Sequence, residues 1–140
     1  GGAELSALQA EFSELCDSQS DSPVLAQMAS VVLERLGEWR ELTAEVIAMS
    51  QRDVQEIGAS SVDFLQYSAY VLLAGFWLQA AARAQDALDA ESGEAAFYQA
   101  KLHSADFYLR RILPRASAHR ESLQGGADCL MAMPESSFAF

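Results

Sequence analysis

Residues 25–49 read LAQMASVVLERLGEWRELTAEVIAM. Leu25, Met28, Val32, Leu36, Trp39, Leu42, Val46 and Met49 recur at steps of three and four, which draws one apolar stripe along an α-helix. Gly37 weakens that helix without ending the pattern. Ahead of it, Ser22-Pro23 pairs a capping hydroxyl with a residue whose fixed φ suits the first helical position. A helix striped in this way needs partners of its own kind.

The neighbouring segments supply them. Leu5, Leu8, Phe12 and Leu15 predict a first helix over Ala3 to Asp17, followed by a polar break from Ser18 to Pro23. A loop over Glu56 to Ser60, marked by Gly58, is expected to close the second helix. The third is expected to begin at Ser60 or Ser61, with Asp63 in its first turn, where the helix dipole favours an anion. The 19 residues between Asp63 and Arg83 carry no charge. Gln66, Ser68, Gln79 and two tyrosines make them too polar for a membrane span, so they read as a central helix covered on several sides.

A fourth helix starts after Ser92-Gly93, with Ser92 as its cap. Tyr98, Leu102, Ala105, Leu109, Ile112, Ala116, His119 and Leu123 form its seam. Pro114 removes a backbone donor and leaves the Arg110 carbonyl unpaired, so a kink is expected near Arg110 to Leu113. Gly125-Gly126 supplies the stop. The tail from Ala127 to Phe140, with Leu130, Met131, Met133 and Phe138 around Pro134, is apolar enough that it should dock on something.

Composition agrees with this reading. The 140 residues include 25 Ala and 17 Leu, against seven Val, three Ile and one Thr, too few β-branched side chains for a sheet. The predicted fold is all-α: one domain over residues 1–140, an up-down antiparallel bundle of about four helices with an apolar C-terminal tail. A net charge of −11 repels nucleic-acid phosphates. Cys16 and Cys129 allow one disulfide at most, and the absence of Asn removes N-glycosylation. These features point to the cytoplasm. Gly1-Gly2 in place of an initiator Met reads as a cloning junction, hence a piece of a longer protein.

Catalytic constellations are missing from the sequence. Ala100 and Ala116 stand three residues before His103 and His119, so the Glu-x-x-His of a di-iron bundle is absent. No zinc spacing, dinucleotide fingerprint, phosphate loop or nucleophile elbow occurs. His119 lies on the apolar seam and reads as a core or interface histidine with one satisfied nitrogen; His103 reads as exposed, and Cys129 as a buried small hydrophobe. Residues 95–120 hold five cations against Asp106 alone, while the rest of the chain holds four against 19 acids. Two readings of that strip stand. It can lean on acids of the first two helices, or Arg110, Arg111 and Arg115 can meet a phosphate or an acidic partner through their planar donor forks.

From Phe97 onward the chain reads FYQAKLHSADFYLRRILPRASAHRESLQGGADCLMAMPESSF. Phe97-Tyr98 with Lys101, Phe107-Tyr108, Leu113-Pro114-Arg115, Gly126-Ala127-Asp128, Leu130-Met131, and Pro134-Glu135 with Phe138 resemble the acetyl-CoA-dehydrogenase C-terminal-like domain of bacterial acyl-CoA dehydrogenases. That domain is found in 3-methylmercaptopropionyl-CoA dehydrogenases and their long-chain relatives. Gly75-Phe76-Trp77 in the central helix fits the same pattern. The resemblance implies a parent flavoenzyme of fatty-acid metabolism that binds FAD and oxidises an acyl-CoA to the 2-enoyl-CoA with a glutamate base. In that family the base and the flavin contacts lie upstream, so no catalytic, cofactor or metal residue is assigned here. The segment is then an accessory domain packing on the catalytic domains of the parent or across a homo-oligomer interface, and acyl-CoA is bound by the parent. The candidate interface residues are Arg110, Arg111, Arg115, His119, Leu130, Met131 and Phe138. The other reading is a free-standing helical protein–protein interaction module.

Overall fold

A computed structural model describes residues 2–91 and 93–138. It is helical throughout, with no strand among the described residues. Helix α1 spans Ala3–Ser18, α2 Ala26–Arg52, α3 Gln55–Asp89 and α4 Ala95–Phe107. A π turn (Tyr108–Ile112) and a 3-10 turn (Leu113–Arg115) lead into α5 (Ala116–Gln124); short α6 (Asp128–Met131) and a 3-10 turn (Glu135–Phe138) come last. Cross-helix pairs run in opposite chain directions: Trp77 stacks on Tyr108, Tyr70 on His119, and Glu56 bonds Ala127. The predicted antiparallel all-α bundle is what forms.

Helix α2 buries Val32, Leu36, Trp39, Leu42 and Met49 from the stripe that predicted it. Its start is later than read: α2 begins at Ala26 with Leu25 as its cap residue, and Ser22 and Pro23 belong to the turn before it, where the Leu25 N–H donates to Ser22 Oγ at 3.1 Å and the Ala26 N–H to the Ser22 carbonyl. The expected loop over Glu56 to Ser60 is not there. The break comes earlier, at Asp53-Val54, where Asp53 Oδ1 accepts the Gln55 N–H at 2.9 Å. Gly58 lies inside α3 because one glycine costs a helix only about 1 kcal/mol, which tertiary packing overrides. Ser60 and Ser61 bond back to the Glu56 and Gly58 carbonyls and do not cap. Helix α3 thus reaches 35 residues, and Asp63 sits well beyond its first turn.

Helix α3 is the central element, packed by α2 on one side and by α4 and α5 on the other. Tyr67, Val71, Ala74 and Leu78 are fully buried on its inner face. Gly75 belongs to that contact, since a Cβ there would lie 2.5 Å from the Phe12 ring of α1. Coverage is incomplete, however: Val62, Leu65, Leu73 and Phe76 are about half exposed or more. No helix is long and apolar enough to cross a membrane among the described residues.

Pro114 acts as predicted in place but with a specific geometry. The ladder slips so that the Leu113 N–H donates to the Tyr108 carbonyl, five residues back. The extra residue changes the seam at one position: Leu113 is buried where Ile112 was expected and Ile112 only packs against the core edge, while Leu109, Ala116 and Leu123 are buried as read. The predicted Ser92 cap lies outside the described residues. Gly126 adopts φ +67°, a left-handed stop after α5.

A candidate interface on helices α4 and α5

The basic strip divides into three environments. Arg110 is exposed and its Nε donates to Asp106 Oδ1 at 2.7 Å, one turn back on its own helix. Arg120 leaves the strip and reaches α2, with Nη1 3.3 Å from Glu38 Oε1 and Nη2 3.9 Å from Glu41. Arg111 and Arg115 are exposed and have no ion pair among the described residues. Lys101 instead places its Nζ 5.0 Å from the Phe97 ring centroid. The intramolecular reading therefore holds for Arg120 toward α2, and α1 takes none of these charges among the described residues.

Glu38 is a hub that the sequence reading did not single out. Its Oε2 accepts from Arg35 Nη1 at 2.6 Å and from the Tyr67 hydroxyl at 2.8 Å, and its Oε1 faces Arg120. Burial and the Glu38 carboxylate both push the Tyr67 phenol well above its ordinary pKa. This network ties α2, α3 and α5 together where a bare apolar seam would leave their rotation underspecified. A signal was present in the acid at the flank of the α2 stripe, but two of its three partners, Tyr67 and Arg120, lie 29 and more positions away.

His119 behaves as expected of an interface histidine. Nδ1 lies 2.8 Å from Asp63 Oδ1, and the ring stacks on Tyr70 at 5.8 Å. Tyr108 sits beside it, donating its hydroxyl to the Tyr70 carbonyl at 3.0 Å; burial pushes its pKa up to about 12. These groups hold α5 on α3. His103 is exposed, as read.

Among the described residues the tail beyond Ala127 does not dock on its own chain. Leu130, Met131, Met133 and Phe138 are all more than half exposed, and Ala127 is the one buried among those described, its N–H donating to Glu56 Oε2 at 3.0 Å. Cys129 is exposed, not buried, because the bundle ends at Gly126 and no helix covers the residues beyond it; its Sγ reaches only the Gly126 carbonyl. Cys16 is buried and free, so the two thiols form no disulfide; burial, with Asp17 adding, pushes its pKa up to about 11. The structure thus gathers Arg110, Arg111, Arg115 and His119 along one continuous helical run and leaves Leu130, Met131 and Phe138 beyond its end.

The model of the family described as Acetyl-CoA dehydrogenase C-terminal like matches residues 8–134. The chain belongs to this family. The match runs from within α1 to just past α6. A search of curated proteins and a search of solved structures each returned no match.

Proposed function

We propose that this domain is the non-catalytic accessory portion of an FAD-dependent acyl-CoA dehydrogenase, and that it packs on the catalytic domains of that enzyme in the cytoplasm. The family match over residues 8–134 carries the reading. The side chains support it: Arg111 and Arg115 stand exposed without acids, and the tail offers Leu130, Met131 and Phe138 to solvent. Cations without partners on a chain of net charge −11 suit an acidic patch on another domain.

A flavin dinucleotide needs a pyrophosphate cradle of backbone N–H groups and cations. The grooves between these helices offer at most one cation each: Arg110 between α2 and α4, Arg40 between α1 and α2, Lys101 between α3 and α4. The Arg40 groove reaches Gly2 at the start of α1, but Arg40 there is engaged with the Gln9 carbonyl and Ser13 Oγ, and no second cation joins it. These residues do not fit the cofactor, so the proposal places FAD, the acyl-CoA and the base in the catalytic domains. The contribution of this chain is binding and positioning.

The test is co-elution with the catalytic domains encoded in the same reading frame. The pair should elute as one complex, and Arg111→Glu with Arg115→Glu should weaken it at least tenfold with unchanged helicity. Lack of any complex, or a reading frame that opens just before Ala3, favours the interaction module, which the exposed tail would equally suit.

A further inference from the structure

Helices α3 and α4 leave an apolar groove along their line of contact. Leu73, Phe76 and Trp77 form one wall, and Phe107, Tyr108 and Ile112 the other. Trp77 lies in the middle, shared by both ends of the groove and stacked on Tyr108 at 6.3 Å. The chain itself covers this groove poorly. Phe76 meets Phe12 of α1 edge to face at 5.4 Å and is still 47% exposed, and Phe107 is 58% exposed. The α4 wall runs from Lys101 to Ile112, about 16 Å or three helical turns.

Three observations say what fits there. Both walls are helical, with their backbone N–H and C=O groups bonded internally, so a segment seated between them must satisfy its own backbone, as a helix does. The groove is also free of acids, in a chain that has 20 of them. Residues 64–82 carry no charge, and the first charge beyond them is Arg83; residues 107–120 hold four arginines and no acid. Asp106 lines a different groove, on the α2 side, where it pairs with Arg110 at 2.7 Å. Lastly, the cations at this rim have no acid of their own. Lys101 and His103 line the groove, Arg111 follows Phe107 by about one turn, and none of the three has an ion pair among the described residues.

We propose that this groove seats one acidic amphipathic helix, with apolar side chains at i, i+3 or i+4, and i+7 directed at Trp77 and carboxylates on its flanks facing Lys101, His103 and Arg111. The proposal rests on the reading above for the source of that helix, the surface of the catalytic domains, and adds the place and chemistry of the contact. Apolar burial supplies affinity. The cationic rim selects an acidic helix over a basic one, although the chain as a whole carries −11.

The seat and its source are tested separately. For the seat, the probe is a short stapled helical peptide with leucines at i, i+3 and i+7 and glutamates on both flanks, beside a twin with lysine at every glutamate. By fluorescence anisotropy with the 140-residue chain, the glutamate peptide should bind saturably and at least tenfold tighter than its twin, a margin that shrinks with salt. Phe107→Glu should weaken it at least tenfold, and Lys101→Glu should reverse the preference toward the lysine twin, both with an unchanged circular dichroism spectrum. Leu65→Glu, on an exposed part of α3 outside the groove, should change nothing. For the source, Phe107→Glu should weaken the complex with the catalytic domains of the same reading frame at least tenfold. Absent peptide binding, equal binding of the twins, or indifference to Phe107→Glu would overturn the proposal, as would binding of anionic phospholipid vesicles in place of the peptide. A complex that forms but ignores Phe107→Glu also overturns it, and leaves the accessory-domain reading intact. Peptide binding as described with no complex at all does the reverse: the seat stands and the accessory-domain reading falls.

Discussion

Gly75 and Gly37 look alike in sequence, both lying inside apolar helical stripes, yet they meet opposite surroundings. A methyl group at Gly75 would collide with the Phe12 ring, whereas at Gly37 there is open space. Gly75→Ala should therefore lower stability by about 1–3 kcal/mol through overpacking. Gly37→Ala should raise it by up to about 1 kcal/mol through helix propensity. Urea unfolding midpoints check both. The buried tyrosines make a second residue-scale prediction. Tyr108 and Tyr67 hold their protons more tightly folded than unfolded, so their contribution is complete below the ordinary phenol pKa of about 10 and is lost as pH rises through the folded values, about 12 for Tyr108. Stability should fall steeply between those limits, and Tyr108→Phe should flatten the fall in a urea series run from neutral to strongly alkaline pH. Neither the ring at Gly75 nor the Glu38 network was legible in the sequence, because both depend on residues far apart in the chain meeting at one level of the bundle.

At the scale of elements, period and caps carried most of the reading. The α2 stripe, the break at Pro114 and the Gly125-Gly126 stop are all where local chemistry puts them, whereas α2 starts three residues later than the Ser22-Pro23 pair suggested. The misreading at Gly58 has the same origin as the successes. Local rules treat a glycine as a breaker, but an α3 that continues through it gains contacts with α2 and α5 that outweigh the cost. The one-residue slip from Ile112 to Leu113 comes from a π turn that no regular period can encode. Tail docking was legible only as a need, since exposed apolar residues do not say what covers them. Between residues 128 and 138 every side chain is exposed, so ending the chain after Ala127 should leave the thermal midpoint within a degree or two. A drop well beyond that in a calorimetric scan would mean the tail packs on this chain after all.

At the scale of the whole molecule, the bundle leaves cationic and apolar side chains open toward its C-terminal end. The candidate interface arginines occupy one helical run, and two of them find no intramolecular acid; His119 turned out to be a brace between α5 and α3. The sequence could name those residues because their spacing is regular, but it could not sort them, since ion pairing depends on which helices become neighbours. Family membership then makes the bundle an acetyl-CoA-dehydrogenase C-terminal-like domain.

The most direct measurement is a calorimetric titration of the 140-residue chain with FAD and, separately, with a long-chain acyl-CoA. An accessory domain that leaves catalysis to its neighbours predicts no saturable heat for either ligand while helicity is intact. Sub-micromolar binding of either one to the folded chain would contradict it.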